Sequence, residues 1–278
     1  MQNVALSWQQ AGALTAALGL GAAALTATRR RRPALVAPFV REAAMIAGLY
    51  TVWQLVGSLS KSGTQDALAR ARWIERIERD WHLPSEASVQ RVVTSNDVVT
   101  RVANLYYATM HFGGLFVFLI WLFARHRERY RPVRRVLALT TLACLLVQFV
   151  PVAPPRLLPG FTDTAIEFGQ SVYAGGYDSL SAMPSVHVAW AALIGWAVWR
   201  IGRGPGRWVG PAHAAVTVLV VVATANHWWA DGIVAVGILA GCAVLERAGR
   251  HAMVRARDEH RVEGGAQQRD PVVMERSS

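Results

Sequence analysis

Polarity along this chain alternates on a long wavelength. Apolar runs near residues 4–28, 35–59, 103–124, 136–153, 184–201, 208–227 and 231–248 each approach the roughly 20 residues that a helix needs to cross a bilayer. The pattern predicts an all-α, polytopic membrane bundle. Two connecting segments are long. Residues 60–102 include "DALARARWIERIERDW", an amphipathic helix candidate with Leu68, Trp73, Ile74 and Ile77 on one face. Such a helix lies on the bilayer surface or caps a bundle. The 154–183 stretch is rich in Pro, Gly and Tyr and reads as a loop. The polar end after about Arg255 reads as a disordered tail. The resulting organisation is a span with its basic turn over 1–32, a catalytic membrane domain over 33–250, and a polar tail over 251–278.

Charge gives the bundle a direction. The net charge of +11 is nearly all arginine, with Lys61 the only lysine. Arg29–Arg32, the cluster from Arg125 to Arg135, the trio Arg200, Arg203 and Arg207, and the tail from Arg247 all fall on one side of the alternating spans. That side is the cytoplasm by the positive-inside rule. The N-terminus and the 60–102 and 154–183 segments are then extracytoplasmic, and the C-terminus is cytoplasmic. The first run has arginines after it and none before it, the reverse of a secretory signal peptide, so it is expected to be retained. A chain that is 53% hydrophobic is no ordinary soluble domain, and the spans exclude a basic nucleic-acid binder. Cys144 and Cys242 lie inside apolar runs, which argues against a disulfide framework. Arg41 and Glu42 sit inside the second run; their place near its cytoplasmic end favours snorkelling over a functional pair.

With this topology Arg156, His187, His227 and Asp231 come from three distant parts of the sequence to one depth at the outer face. Asp231 follows His227 by four residues and shares its helix face if the helical turn continues between them. The carboxylate then accepts a proton from one ring nitrogen and leaves the other free as a nucleophile. His187 can act as general acid. Arg156 offers a planar fork for phosphate oxygens, or merely marks the interface. The helix start after Pro184 presents free N–H groups; Ser185 there either binds phosphate or caps the helix. His111 lines the cavity or is a buried, hydrogen-bonded histidine. Tyr106, Tyr107, Trp228 and Trp229 read first as an aromatic belt, with Tyr107 and Asn226 as further cavity-lining candidates. Asp163, Glu167 and Asp178 could reach a headgroup by position alone. Together these groups suit attack on phosphorus, and lipid phosphates lie at this depth.

"AMPSVHVAW", followed 40 residues on by "NHWWAD", resembles the type 2 phosphatidic acid phosphatase superfamily, and more narrowly its inositol phosphorylceramide synthase-like branch. "PVAPPR", "NLYYATMHF" and "RYRPVRR" fit that branch. The likeness covers residues 100–250 well and 35–100 weakly. It implies a six-span core, with the first span an addition. It also implies that His227 forms a phosphohistidine, that Asp231 orients it, and that His187 protonates the leaving group, with no metal or cofactor. The implied partner is a phospholipid or prenyl phosphate in the bilayer. Val186 stands where many of the phosphatases have glycine, Val220 and Val221 where they have a Ser-Arg pair, and their Lys-x6-Arg-Pro motif is absent. These departures favour headgroup transfer to a lipid alcohol. Release of phosphate to water is the alternative, and a non-enzymatic membrane scaffold the second.

Overall fold

The computed structural model describes residues 7–27, 31–60, 63–170 and 180–267. Among the described residues ten α-helices carry the fold: α1 (Trp8–Ala27), α2 (Arg31–Ser60), α3 (Thr64–Asp80), α4 (Glu86–Thr94), α5 (Asp97–Arg125), α6 (Arg127–Val147), α7 (Thr164–Glu167), α8 (Val186–Ile201), α9 (Val209–Ala223) and α10 (Trp229–Gln267). Among the described residues the only β pairing is an isolated bridge between Val152 and Ser181.

Each of the seven apolar runs carries a helix. Among the described residues, four segments are long and apolar enough to cross a membrane: α1, α5, α9 with the turn before it, and the Trp229–Arg255 part of α10. Helix α8 is equally apolar but shorter, at 16 residues. Charge dilutes the other two. Helix α2 contains Arg41 and Glu42, and α6 opens on an arginine-rich first half. The chain is a multi-pass membrane protein.

The bundle closes around α8. Leu115, Phe118 and Leu122 of α5 meet Val133 and Leu137 of α6, Leu193 and Ile194 of α8, and Leu239 of α10. Helices α8 and α9 form a hairpin whose crossing depends on glycine. A Cβ on Gly210 would stand 2.7 Å from the Val198 Cβ, and one on Gly195 would stand 3.1 Å from the Ala214 Cβ. Small residues let membrane helices approach this closely, and packing then replaces the hydrophobic drive that lipid does not supply. Glu42 of α2 ion-pairs with Arg134 of α6. Snorkelling is therefore not what this acid does; it ties the N-terminal helices to the core.

Helix α3 caps the bundle. Its buried stripe is Ala67, Ala71, Ile74 and Glu78, one turn apart, whereas Trp73 faces outward. The expected face was thus rotated: small residues, not Trp73, meet the bundle, because the element beneath them is the bulky Trp228. Helix α10 continues to Gln267, into the stretch whose polarity predicts a disordered tail. Residues 268–278 lie outside the described residues.

Replacing Gly210 by leucine is expected to cost about 1–3 kcal/mol through overpacking against Val198. A thermal-unfolding scan in detergent should show a lowered Tm for Gly210→Leu, and Gly206→Leu, where a Cβ meets nothing within 4 Å, should show little change.

Candidate active site

The site is built where α9 stops and α10 starts. Helix α9 does not run on through His227. It ends at Ala223, and Ala225 takes a left-handed conformation at φ +53°. Its N–H donates to the Val222 carbonyl (2.9 Å), and the Asn226 N–H donates to the Val221 carbonyl (3.0 Å). This is the Schellman closure of a helix end, usually given to glycine. Helix α10 begins at Trp229. His227 and Asp231 therefore do not share a continuous helical turn, contrary to the sequence expectation.

They meet all the same. Asp231 Oδ2 turns back to accept the Trp228 N–H at 2.8 Å, capping α10, and lies 3.3 Å from His227 Nδ1. The stronger partner of that nitrogen is the Ala182 carbonyl, at 2.8 Å. A carbonyl can only accept, so Nδ1 carries the proton and Nε2 keeps its lone pair. His227 Nε2 is buried and has no protein partner. The ring of His187 stands 5.5 Å away, centroid to centroid, and its Nε2 is likewise buried and unpartnered. Two free imidazole nitrogens thus share one small space.

Backbone pairing holds the facing wall. The Val152 N–H donates to Leu180 (2.8 Å), and the Ala182 N–H donates to Val152 (3.1 Å). This joins the PVAPPR segment to the chain entering α8. Gln148 Nε2 donates to the Pro184 carbonyl at 3.1 Å. Ser185 caps α8 by accepting the Val188 N–H at 3.3 Å, and its own N–H donates to the Asp231 carbonyl. The capping role of Ser185 is therefore the one observed.

Arg156 is held from three sides. Its backbone N–H donates to the Ala225 carbonyl at 3.0 Å, Nη1 donates to Asn226 Oδ1, and Nε pairs with Asp163 at 3.2 Å. The fork is fixed beside His227 by Asn226, a role different from the cavity lining expected of Asn226. Glu167 forms part of α7, and Asp178 lies outside the described residues.

Aromatic rings flank His187. Tyr107 stacks on it at 4.5 Å, and His111 lies 4.0 Å away, itself stacked on Trp190 at 4.2 Å. Tyr107 and His111 are thus cavity residues, sharing a small cavity with His187, Trp190 and Val221. The belt reading fails for Tyr107, and for two more of its four residues. Trp228 is fully buried, with Nε1 donating to the Ala153 carbonyl at 3.0 Å. The Tyr106 hydroxyl is engaged inside the bundle by His213 Nδ1 (2.7 Å) and Thr217.

The fold and this constellation meet the sequence in a family comparison. The family model described as the PAP2 superfamily, the type 2 phosphatidic acid phosphatases, matches residues 72–245. The chain belongs to the PAP2 superfamily. Searches of curated proteins and of solved structures return no match. PAP2 membership makes the chain an enzyme of the phosphatase or phosphotransferase type, acting on lipid in a bilayer.

Beneath this PAP2 site lies a feature that sequence reading missed. Glu78 of α3 and Glu86 of α4 are both buried, and Glu78 Oε1 accepts the Ala230 N–H at 2.6 Å. The Trp229 indole donates to the Pro84 carbonyl at 2.7 Å. The α3–α4 corner thus clamps the start of α10, next to Asp231. The available signal was an acid one turn beyond Ile74 on the small-residue stripe of α3. Burial, then the neighbouring Glu86 carboxyl and the charge of Asp231, push Glu78 up to about 9, against the opposing pull of the Ala230 N–H.

Glu78 is therefore protonated in the folded protein at neutral pH, whereas its ordinary value is 4.5. Between those values the folded state holds the extra proton, so its stability falls as pH rises through this window. Glu78→Gln keeps an acceptor for the Ala230 N–H and a donor for Glu86. The variant should give a flatter curve of Tm against pH from about 5 to 9, lying above wild type at the alkaline end. Parallel curves would show that Glu78 is not held protonated.

Proposed function

We propose that this protein is a lipid phosphotransferase working through a phosphohistidine at His227, passing a phospho-headgroup to a lipid alcohol on the extracytoplasmic face. The observation that carries this reading is the fixed tautomer of His227. Nδ1–H is tied to the Ala182 carbonyl and Asp231, Nε2 is left bare, and the His187 ring stands 5.5 Å from the His227 ring.

In the first half-reaction Nε2 of His227 attacks phosphorus. The N–P bond forms as the bond from phosphorus to the lipid oxygen breaks. His187 gives its proton to that oxygen, and the lipid alcohol leaves. Asp231 stabilises the charge that builds on the His227 ring, in the manner of a triad carboxylate. Arg156, preset by Asn226 and Asp163, steadies the equatorial phosphate oxygens. In the second half-reaction His187 takes a proton from the acceptor hydroxyl, the new O–P bond forms and the N–P bond breaks. Each half-reaction restores the proton count of the other.

The apolar side chains beside His187 support a lipid alcohol as the acceptor. Tyr107, Trp190, Val220 and Val221 surround His187, and the valines occupy the positions where the phosphatases carry a Ser-Arg pair. The arginine clusters support the side. Arg125–Arg135 and Arg200–Arg207 lie at the far ends of α5 and α8 from His187 and His227, and the positive-inside rule favours the cytoplasm for the arginine end and the opposite face for the histidines.

The test is a product assay on the full chain in mixed micelles, with a phospholipid donor labelled in its headgroup and, present or absent, a diacylglycerol whose acyl chains differ in length from the donor's. A new headgroup-bearing lipid should form only with acceptor present. It should vanish in His227→Ala and fall roughly 10²–10⁴-fold in His187→Ala. Free phosphate that depends on His227 and is indifferent to acceptor would replace this reading with a hydrolytic one. Turnover that survives His227→Ala would overturn the phosphohistidine.

A further inference from the structure

A groove of about 1300 Å³ opens on the bundle at the end away from the histidines. It lies between the C-terminal halves of α5 and α8 and the N-terminal half of α9. Its volume exceeds the roughly 300–1,000 Å³ typical of a pocket for a drug-sized molecule, so it calls for a larger occupant. Its walls are apolar, including Val117, Phe118, Trp121, Val198 and Val209. Its mouth is basic, with Arg129, Arg200 and Arg203 among the lining residues. One acid, Glu128, also lines it and stands 4.0 Å from Arg129 Nε, leaving the mouth positive.

The inner end is shaped by glycine and histidine. A Cβ on Gly114 would stand 3.3 Å from the His213 ring, so the floor there is already filled. A Cβ on Gly113, also in the lining, would meet nothing within 4 Å and would project into free space. His213 and Ile194 line both this groove and the small cavity that holds His111 and His187. The groove therefore reaches the underside of the site but takes no part in its chemistry.

We propose that this groove binds an anionic phospholipid, its phosphate held at Arg129, Arg200 and Arg203 and an acyl chain laid along α5, α8 and α9 as far as His213. The charge at the mouth chooses the headgroup. Arginines near a membrane surface attract anionic lipid. The apolar walls are indifferent to headgroup and take any chain. Seated there, the lipid braces the three helices that surround His187, independently of which acceptor the enzyme uses.

Trp121 lines the groove and supplies the probe. The full chain in neutral detergent is titrated with phosphatidylglycerol or phosphatidylcholine carrying brominated chains, which quench indole fluorescence on contact. The Trp121 signal is the difference between wild type and Trp121→Phe. Phosphatidylglycerol should quench it at about a tenfold lower mole fraction than phosphatidylcholine. The double variant Arg200→Gln, Arg203→Gln should lose that preference. Gly113→Leu, whose Cβ meets nothing within 4 Å, adds bulk in the groove lining and should reduce quenching by both lipids while the far-UV helical signal is retained. Equal quenching of wild type by the two lipids would reduce the groove to ordinary boundary lipid and overturn the proposal. So would a preference that survives the double arginine change, or quenching untouched by Gly113→Leu.

Discussion

Nδ1 of His227 faces the Ala182 carbonyl at 2.8 Å and Asp231 Oδ2 at 3.3 Å, and much of the surrounding structure exists to keep it there. A neutral imidazole has one donor and one acceptor, so occupying Nδ1 with acceptors decides what Nε2 can do. Ala182 is placed by the Val152–Ser181 bridge, and Asp231 by the N-terminus of α10. His227 itself is placed by the left-handed turn at Ala225. A β-branched residue at Ala225 would meet the steric penalty that alanine just tolerates, and the turn would open.

This constraint explains why so many polar groups lie buried at one end of a membrane bundle. A buried polar group without a partner costs free energy, so each must be satisfied by another. Asn226 orients Arg156, Asp163 balances its charge, Gln148 satisfies the Pro184 carbonyl, and Trp228 satisfies the Ala153 carbonyl. The nitrogens without protein partners include Nε2 of both His187 and His227. Asp231 Oδ1 and His111 Nδ1 beside them are open as well, so the unpartnered atoms gather around the two histidines. The α3–α4 corner adds a second layer: Glu78 and Pro84 grip the first turn of α10, so the capping helices and the site are one mechanical unit.

Much of this was legible in the sequence, and the limits have physical causes. Each apolar run carries a helix, and four of the described helices are long and apolar enough to cross a membrane, because a span in lipid requires continuous hydrophobicity. The spacing of His187, His227 and Asp231 marked the site, because polar residues at the ends of apolar runs are expensive to place without a reason. The break in the helix at Ala223 was hidden. Thr224 and Ala225 carry no glycine or proline to announce it. The partner of His227 Nδ1 was hidden too, since a backbone carbonyl leaves no residue signature. The inward side of α3 was misread because the large apolar residues were assumed to face the bundle. Trp228 already fills that space; Ala67, Ala71 and Ile74 pack with it, and Trp73 is turned outward. Trp228 itself was taken for an interfacial residue because composition does not reveal which way a tryptophan points.

The central claim is that Nε2 of His227 is the atom that receives phosphorus. Rapid alkaline quenching of the enzyme with a ³¹P-observable phospholipid, in the absence of acceptor, preserves a phosphorus–nitrogen bond. Tandem mass spectrometry and ³¹P NMR of the peptide containing His227 then locate it. The account requires phosphorus on Nε2 of His227, appearing with donor and discharged when a lipid alcohol is added. Phosphorus on Nδ1, on another residue, or absent from a protein that is visibly turning over would contradict it.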